Sequence, residues 1–255
     1  MCGIHAVISS SQNFEASPTL DSRLRARGPD HVGTLETCIE HEFGLTALKL
    51  TSTVLSLRGD HVAKQPLVDE TSGSILCWNG EVWRLGGQSL EGNDTEAVFR
   101  LLLHASSRRH PDYDNDGYDP VLSALRSIEG PFAFTYLDKP AKRLYAGRDR
   151  LGRRSLLMKP GMPFVLSSIA ESPSKEWTEV EADGCYTIAL DRVEESSDLI
   201  MSRHDWDDDQ DLVSRPEPRV LRFLDIAQFF RIATNWLRSL VSASSATKQS
   251  TIRLA

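Results

Sequence analysis

The sequence predicts a mixed, largely antiparallel α+β domain, and two observations lead to that fold class. Short strand-like apolar runs outnumber helical patterns over residues 3–190, and they do not alternate with helices as the strands of a doubly wound parallel sheet do. The chain also lacks both glycine-rich nucleotide-binding patterns, G-x-G-x-x-G and G-x-x-x-x-G-K-[ST]. We therefore expect antiparallel sheets rather than a Rossmann-type fold.

The first elements are short apolar runs that are typical of buried strands. They occupy residues 3–9, 43–50 and 74–78. Asn79-Gly80 follows the third run directly and is a strong turn signal before Glu81-Val82-Trp83. The sequence thus predicts a hairpin at Asn79-Gly80.

Helical patterns come next. Asn93-Asp94-Thr95-Glu96 supplies capping residues for a buried helix over 97–103, and residues 106–119 are polar enough to predict a surface loop. A second short helix is expected over 121–128. Five strand-like runs follow, at 131–137, 143–146, 155–158, 164–168 and 186–190.

The composition changes after residue 191. Residues 192–219 are rich in aspartate and glutamate and poor in apolar residues, which predicts an acidic connector. Residues 220–241 repeat apolar side chains at helical spacing, and the Ser/Thr-rich residues 242–255 predict a flexible tail. The boundaries we expect are a domain over 2–191, the connector, an amphipathic helix over 220–241 and the tail.

Composition excludes several function classes. The 255 residues carry a formal net charge of -7, so neither nucleic acid nor an anionic membrane is an expected partner, and a small polar substrate fits better. The start has no secretory signal pattern and no apolar run approaches the roughly 20 residues that cross a bilayer, so we expect a cytoplasmic protein. The four cysteines and seven histidines show no metal-ligand spacing. We expect no metal and no cofactor.

Cys2 is the residue whose position suggests the most distinctive reactivity. Removal of Met1 would give its thiol an α-amino group on the same residue. The reference pKa values are about 7.7–8.0 for the amine and about 8.5 for the thiol, so the amine can take the thiol proton near neutrality. Alone, a cysteine at this position is better explained as a packed thiol at the head of a strand.

Cys2 belongs to the first of six motifs that follow one another along the chain. They are Met1-Cys2-Gly3-Ile4, Arg27-Gly28-Pro29-Asp30, Leu57-Arg58-Gly59, Trp78-Asn79-Gly80-Glu81, Asn93-Asp94-Thr95-Glu96 and the segment from Gly147 to Leu156. The ordered set closely resembles the class II glutamine amidotransferase domain, and within that class the asparagine synthetase family and its asparagine synthetase domain-containing proteins. The resemblance covers roughly residues 2–190 and implies the N-terminal-nucleophile fold, an αββα sandwich of two antiparallel sheets between helical layers.

The resemblance also implies a reaction and a site. Cys2 would be the nucleophile that releases ammonia from glutamine through a glutamyl thioester, and Asn79 and Gly80 would form the oxyanion hole. Arg58 would bind the α-carboxylate of the substrate and Asp94 its α-ammonium. The remaining pocket contacts match Glu81 and the segment formed by Gly59, Asp60, His61 and Val62. The matched Arg27–Asp30 and Gly147–Leu156 segments are expected to be architectural.

A complete asparagine synthetase adds an ATP-dependent domain with a Ser-Gly-Gly-x-Asp-Ser loop, and these 255 residues contain no such motif. We therefore expect no synthetase activity from this chain alone. It could be part of a longer chain, a free-standing glutaminase, or a subunit that passes ammonia to a synthetase domain or subunit. Two other functions stay open: a catalytically silent glutamine-binding or scaffolding module, and a regulator that acts through its acidic connector and terminal helix.

Overall fold

The computed structural model describes residues 1–206 apart from 16, 43, 110–117, 173–175 and 194–198. Its helices are α1 (Pro18–Arg27), α2 (Asp94–Ser107) and α3 (Pro120–Arg126). Its strands are β1 (Gly3–Ser9), β2 (His31–His41), β3 (Gly44–Val54), β4 (Leu67–Val68), β5 (Ile75–Gly80), β6 (Arg84–Leu85), β7 (Gln88–Ser89), β8 (Ile128–Glu129), β9 (Phe132–Asp138), β10 (Arg143–Arg148), β11 (Leu157–Lys159), β12 (Phe164–Ser167), β13 (Thr178–Glu179), β14 (Gly184–Val193) and β15 (Leu199–Asp205).

Two six-stranded antiparallel sheets form the body of the domain. Sheet A has the order β13-β11-β12-β1-β3-β2, and sheet B has the order β15-β14-β10-β9-β5-β4. The sheets contact each other through β1 and β3 on one side and β5 and β9 on the other. Helix α1 packs on β1 and β3, whereas α2 packs on β5 and α3. This layering confirms the predicted αββα sandwich.

Each helix begins at a residue whose side chain satisfies a free backbone N–H. Ser17 accepts from the backbone N–H of Leu20, Asn93 from that of Glu96, and Asp119 from that of Val121. Helix α2 confirms the prediction over 97–103, and α3 confirms the second short helix. Helix α1 is not predicted by our sequence analysis because it buries only Leu20 and Leu24 and so has a weak apolar periodicity.

Large aromatic side chains fix β5 within sheet B. Trp78 is 1% exposed and stacks on Phe132 of β9 with ring centroids 5.1 Å apart. Phe134 and Tyr136 continue the buried row along β9. This packing holds the last residues of β5 rigidly in place, since buried aromatic pairs resist displacement.

The predicted hairpin at Asn79-Gly80 is wrong. Both residues continue β5, where Asn79 pairs with Ala133 and Gly80 with Phe132 of the neighbouring strand β9. Gly80 is required for space, because a Cβ atom there would lie 2.7 Å from the Cβ atom of Phe132. A turn signal in the sequence thus marks a close approach between two strands.

The structure also differs from the predicted connector over 192–219. Leu199–Asp205 forms β15 and pairs with β14, and the indole N–H of buried Trp206 donates to the carbonyl of Arg148 at 2.8 Å. Sheet B therefore extends past the boundary placed after residue 191. The rest of the connector from residue 207, the predicted helix over 220–241 and the predicted tail lie outside the described residues. None of the helices in the described part of the chain has the length and apolarity to cross a membrane.

Candidate active site

A cavity of about 390 Å³ lies beside the N-terminus of the chain. Its walls come from the end of β3, the end of β5 and the first turn of α2. Six residues predicted from the sequence line it: Cys2, Arg58, Asn79, Gly80, Glu81 and Asp94. We call Cys2, Asn79, Gly80 and Asp94 the cavity wall. The fold thus brings the cavity wall together from three separate parts of the chain.

Cys2 is held by hydrogen bonds on both sides of its Cα. Arg27 donates its Nε–H to the Cys2 carbonyl at 3.1 Å, and the backbone N–H of Leu55 donates to Cys2 Sγ at 3.4 Å. Burial raises the pKa of the Cys2 thiol, and the Leu55 N–H and the N-terminal amino group act in the opposite direction. The thiol is therefore protonated near neutrality and needs an adjacent base to become a nucleophile.

The Arg27–Asp30 motif holds the end of β3 against the N-terminus. Gly28 lies so close to this strand that a Cβ atom would come within 2.4 Å of the backbone of Thr53. Asp30 accepts a hydrogen bond from the backbone N–H of Ser56 at 2.8 Å. These contacts agree with the architectural role expected for the motif, since they fix the segment that contacts Cys2.

Asn79 and Gly80 present two hydrogen-bond donors at the end of β5. Asn79 is 1% exposed, and its Nδ2 is buried without a hydrogen-bond partner among the described residues. The backbone N–H of Glu81 donates to Pro131 beside β9 at 2.8 Å. Because alternate residues of a strand point their N–H groups the same way, the Asn79 N–H faces β9 and the Gly80 N–H faces the opposite edge. A buried amide without a partner is a candidate ligand contact.

Asp94 and Arg58 give the cavity one acidic and one basic group. Asp94 is 6% exposed and accepts from the backbone N–H of Val82 at 2.9 Å and from the indole N–H of Trp78 at 3.4 Å. Burial raises the Asp94 pKa, whereas these hydrogen bonds and the charge of Arg58 lower it. The guanidinium of Arg58 donates to the carbonyls of Val82 and Leu90. A carboxylate and a guanidinium in one cavity are complementary to the two charges of a free α-amino acid.

The segment Gly59–Val62, which we call the rim loop, does not line the cavity. All four of its residues are exposed. His61 is 2.7 Å from Asp60 through Nδ1 and 3.0 Å from Glu96 of α2 through Nε2. The hydrogen bond with Asp60, followed by that with Glu96, raises the His61 pKa. The loop is therefore attached to α2 at the surface, outside the cavity.

Among the further polar residues that line the cavity, Gln65 and Arg154 are not predicted as site residues from the sequence. Gln65 is 2% exposed and accepts the backbone N–H of Trp78 through Oε1 at 2.7 Å. Arg154 ends a loop in which Asp149 accepts the backbone N–H groups of Leu151 and Arg153. Arg154 falls in a matched motif whose expected role is architectural. For Gln65 no residue pattern gives a signal, because its position depends on how the chain folds back onto β5.

Comparisons with known proteins agree on one domain type. Residues 52–172 match the model of a glutamine amidotransferase domain. Asparagine synthetase domain-containing protein 1 of Bos taurus is 32% identical over 216 residues, which is 81% of this chain and 31% of that protein. Glutamine-hydrolyzing asparagine synthetase of Homo sapiens is 27% identical over 164 residues, covering 61% of this chain and 26% of that protein.

A solved structure supports the fold independently. The structure described as the allosteric regulatory enzyme of purine biosynthesis superposes with a TM-score of 0.50 at 16% identity, over 82% of this chain and 50% of that chain. The chain spans about a third of the length of the curated relatives that match it over most of its own length.

Proposed function

The chain carries a glutamine amidotransferase domain related to that of the asparagine synthetase domain-containing proteins, and we propose that this domain hydrolyses glutamine to glutamate and ammonia. One observation carries the proposal. The Cys2 thiol shares a cavity with the buried, unpartnered amide Nδ2 of Asn79. A nucleophile that shares a cavity with a desolvated donor supports acyl transfer, in which the donor stabilises the oxyanion.

The proposed reaction begins with removal of Met1, which is 52% exposed and so accessible to an aminopeptidase. The freed α-amino group of Cys2 then takes the thiol proton, and Sγ attacks the side-chain carbonyl carbon of glutamine. The oxygen gains negative charge in the tetrahedral intermediate, where Asn79 Nδ2 and the Gly80 N–H are its donors. The protonated amine returns the proton to the leaving nitrogen, and ammonia departs from the glutamyl thioester.

Water completes the cycle. The α-amine removes a proton from a water molecule, which attacks the thioester carbonyl at the same oxyanion donors. Collapse of the second tetrahedral intermediate breaks the C–S bond, and the sulfur regains its proton as glutamate leaves. Burial raises the pKa of the Cys2 thiol, which favours its departure in the protonated form. The same raised pKa means that the thiol is activated only when the α-amine is free to take its proton.

Selection of free glutamine is the proposed task of Arg58 and Asp94. The Arg58 guanidinium would bind the α-carboxylate, and Asp94 would accept a hydrogen bond from the α-ammonium. The ammonium would also stabilise the ionised form of Asp94, whose pKa burial raises in the free protein. A glutamine residue within a polypeptide lacks both charges, so the cavity would reject it.

Ammonia release in the cytoplasm, toward a synthetase domain or subunit, is the wider role that we propose. All four cysteines of the chain are free thiols, which is typical of proteins in a reducing compartment. A second function, glutamine binding without hydrolysis, is favoured by the position of Met1 on the cavity lining, since a retained methionine would block the α-amine. Intact mass separates the two functions, because the catalytic one requires the protein to lack Met1.

The proposal is tested by ammonia release from glutamine. Processed wild-type protein should release ammonia with saturable kinetics, and Cys2→Ala should release none above background. Cys38→Ala is the matched control, because Cys38 is half-buried in β2 and does not line the cavity. Equal rates for wild-type protein and Cys2→Ala would refute the proposal.

A further inference from the structure

Gln65 occupies an unusual place at the edge of sheet B. Strand β4 pairs with β5 only at Leu76 and Ile75, and the described chain adds no strand pairing to that edge of β5 beyond Leu76. The backbone N–H of Trp78 on this edge is instead bound by Gln65 Oε1 at 2.7 Å. A side chain thus replaces the missing strand neighbour for one residue.

The next N–H on the same edge is that of Gly80. Residues i and i+2 of a strand point their N–H groups the same way, so the Trp78 and Gly80 N–H groups lie on one edge. Gln65 satisfies the first of them, and the second is at the position proposed for the oxyanion donor. The side chain of Gln65 therefore ends the hydrogen-bonding ladder one step before the reacting centre.

Gln65 is itself rigidly held. It is 2% exposed, and a Cβ atom on Gly33 of β2 would lie 2.2 Å from its carbonyl oxygen, so the two backbones are in tight contact. Its neighbour in the hydrogen bond, Trp78, is fixed by stacking on Phe132. Gln65 therefore links β2 to β5. A rigid link of this kind can keep the end of β5 in place when negative charge develops in the transition state.

We infer that Gln65 is a positioning residue for the oxyanion donors at Asn79 and Gly80. The inference rests on the proposed glutaminase function. Gln65 acts through the backbone of Trp78, so it contributes to the alignment of donors in the transition state rather than to glutamine binding. Its loss leaves a buried N–H unsatisfied and frees the end of β5, and a displacement of about 1 Å at a catalytic group can cost about 100-fold in rate.

Two substitutions separate the acceptor from the volume of the side chain. Gln65→Leu removes the acceptor and keeps the side chain close in size, whereas Gln65→Glu keeps an oxygen that accepts the Trp78 N–H. We expect Gln65→Leu to lower kcat about 10- to 100-fold with KM for glutamine within about threefold of wild type. Gln65→Glu should stay within about fivefold of the wild-type kcat. A residue with a merely structural role would not divide its effect between kcat and KM in this way.

Amide hydrogen exchange gives a readout that needs no enzyme activity. Exchange at Trp78 should be faster in Gln65→Leu than in wild-type protein, and near the wild-type rate in Gln65→Glu, with similar exchange at β1 in all three proteins. Faster exchange throughout the domain in Gln65→Leu would show general destabilisation and overturn the inference.

The two claims fail in different ways. An inactive wild-type protein with processed Met1 would refute glutamine hydrolysis and with it the positioning role of Gln65. If the wild-type protein is active, two results would overturn the inference about Gln65 and leave the proposed function intact. One is a kcat of Gln65→Leu equal to that of wild type, and the other is a change in KM for glutamine without a change in kcat. Unchanged exchange at Trp78 in Gln65→Leu would overturn it as well.

Discussion

The cavity wall and the rim loop match the same domain type in sequence, yet the structure gives them different physical settings. In the wall, Asn79 and Asp94 are almost completely buried and Cys2 is held by Arg27 and Leu55. In the rim loop, Gly59–Val62 is exposed and its polar contacts lie at the surface. Electrostatic interactions are much stronger in the desolvated wall than in the solvated loop. A motif match is therefore informative about chemistry only when the burial of the matched residues is known.

The largest effect should come from the wall. Asn79→Ala removes a buried donor, and loss of one oxyanion donor typically lowers kcat about 100- to 1000-fold. We expect that loss with little change in KM for glutamine, measured by steady-state ammonia release. Asn13→Ala is the matched control, because Asn13 is exposed and outside the cavity. A loss of less than tenfold would mean that Asn79 does not face the developing charge.

Arg58 connects the two regions, since it lines the cavity and directly precedes the rim loop. Arg58→Ala should raise KM for glutamine about 10- to 100-fold, because hydrogen bonds to a charged group are worth about 1.5–3 kcal/mol. Arg84→Ala is the matched control, because it removes an exposed arginine of β6 and should leave KM for glutamine unchanged. If KM is unchanged in Arg58→Ala, another cation of the cavity binds the α-carboxylate, and Arg154 is the first to test.

Two histidines show a similar contrast, between a half-buried and an exposed position, in how they respond to pH. Burial lowers the pKa of His5 in β1 to about 4, from about 6.5 in the unfolded chain. Between these values the unfolded state binds the proton and the folded state does not, so stability is full above pH 6.5 and falls toward pH 4 by up to about 3 kcal/mol. Urea unfolding of wild type and His5→Gln over this range measures it, with exposed His104→Gln as control. A pH slope that survives in His5→Gln would contradict the assignment.

His61 in the rim loop should show the smallest effect, with the opposite sign. Its pKa is raised by Asp60 and then Glu96, so its contribution to stability is present below pH 6.5 and is lost as pH rises through the raised pKa. Because these groups are solvated, His61→Gln should lower the thermal midpoint only slightly at pH 6 and not at all at pH 9. KM for glutamine should change less than about threefold. A larger KM change would place the rim loop in the binding site.

The sequence predicts the architecture well where packing is local and periodic. Helix α2 and strand β9 follow from capping residues and apolar runs. It fails where tertiary contacts decide. Asn79-Gly80 carries the pattern of a turn, but both residues continue β5 by pairing with β9. The glycine is present because Phe132 lies too close for a Cβ atom at this position.

The candidate site shows the same division. The ordered motifs predict roles for Cys2 and Asp94, and both residues line the cavity. Gln65 could not be found from sequence, since its role arises from one side-chain hydrogen bond across a fold that joins distant residues. The exposure of the rim loop is likewise a property of the folded surface, which a matching motif does not specify.

The proposed function depends most directly on Cys2 acting as an N-terminal nucleophile toward glutamine in the cavity. Intact-mass and peptide analysis after exposure to a glutamine-mimicking diazoketone tests it most directly. We expect protein without Met1 that carries one adduct, located on Cys2, and we expect excess glutamine to protect Cys2 from modification. Retained Met1, or an adduct on Cys38 with Cys2 unmodified, would contradict it.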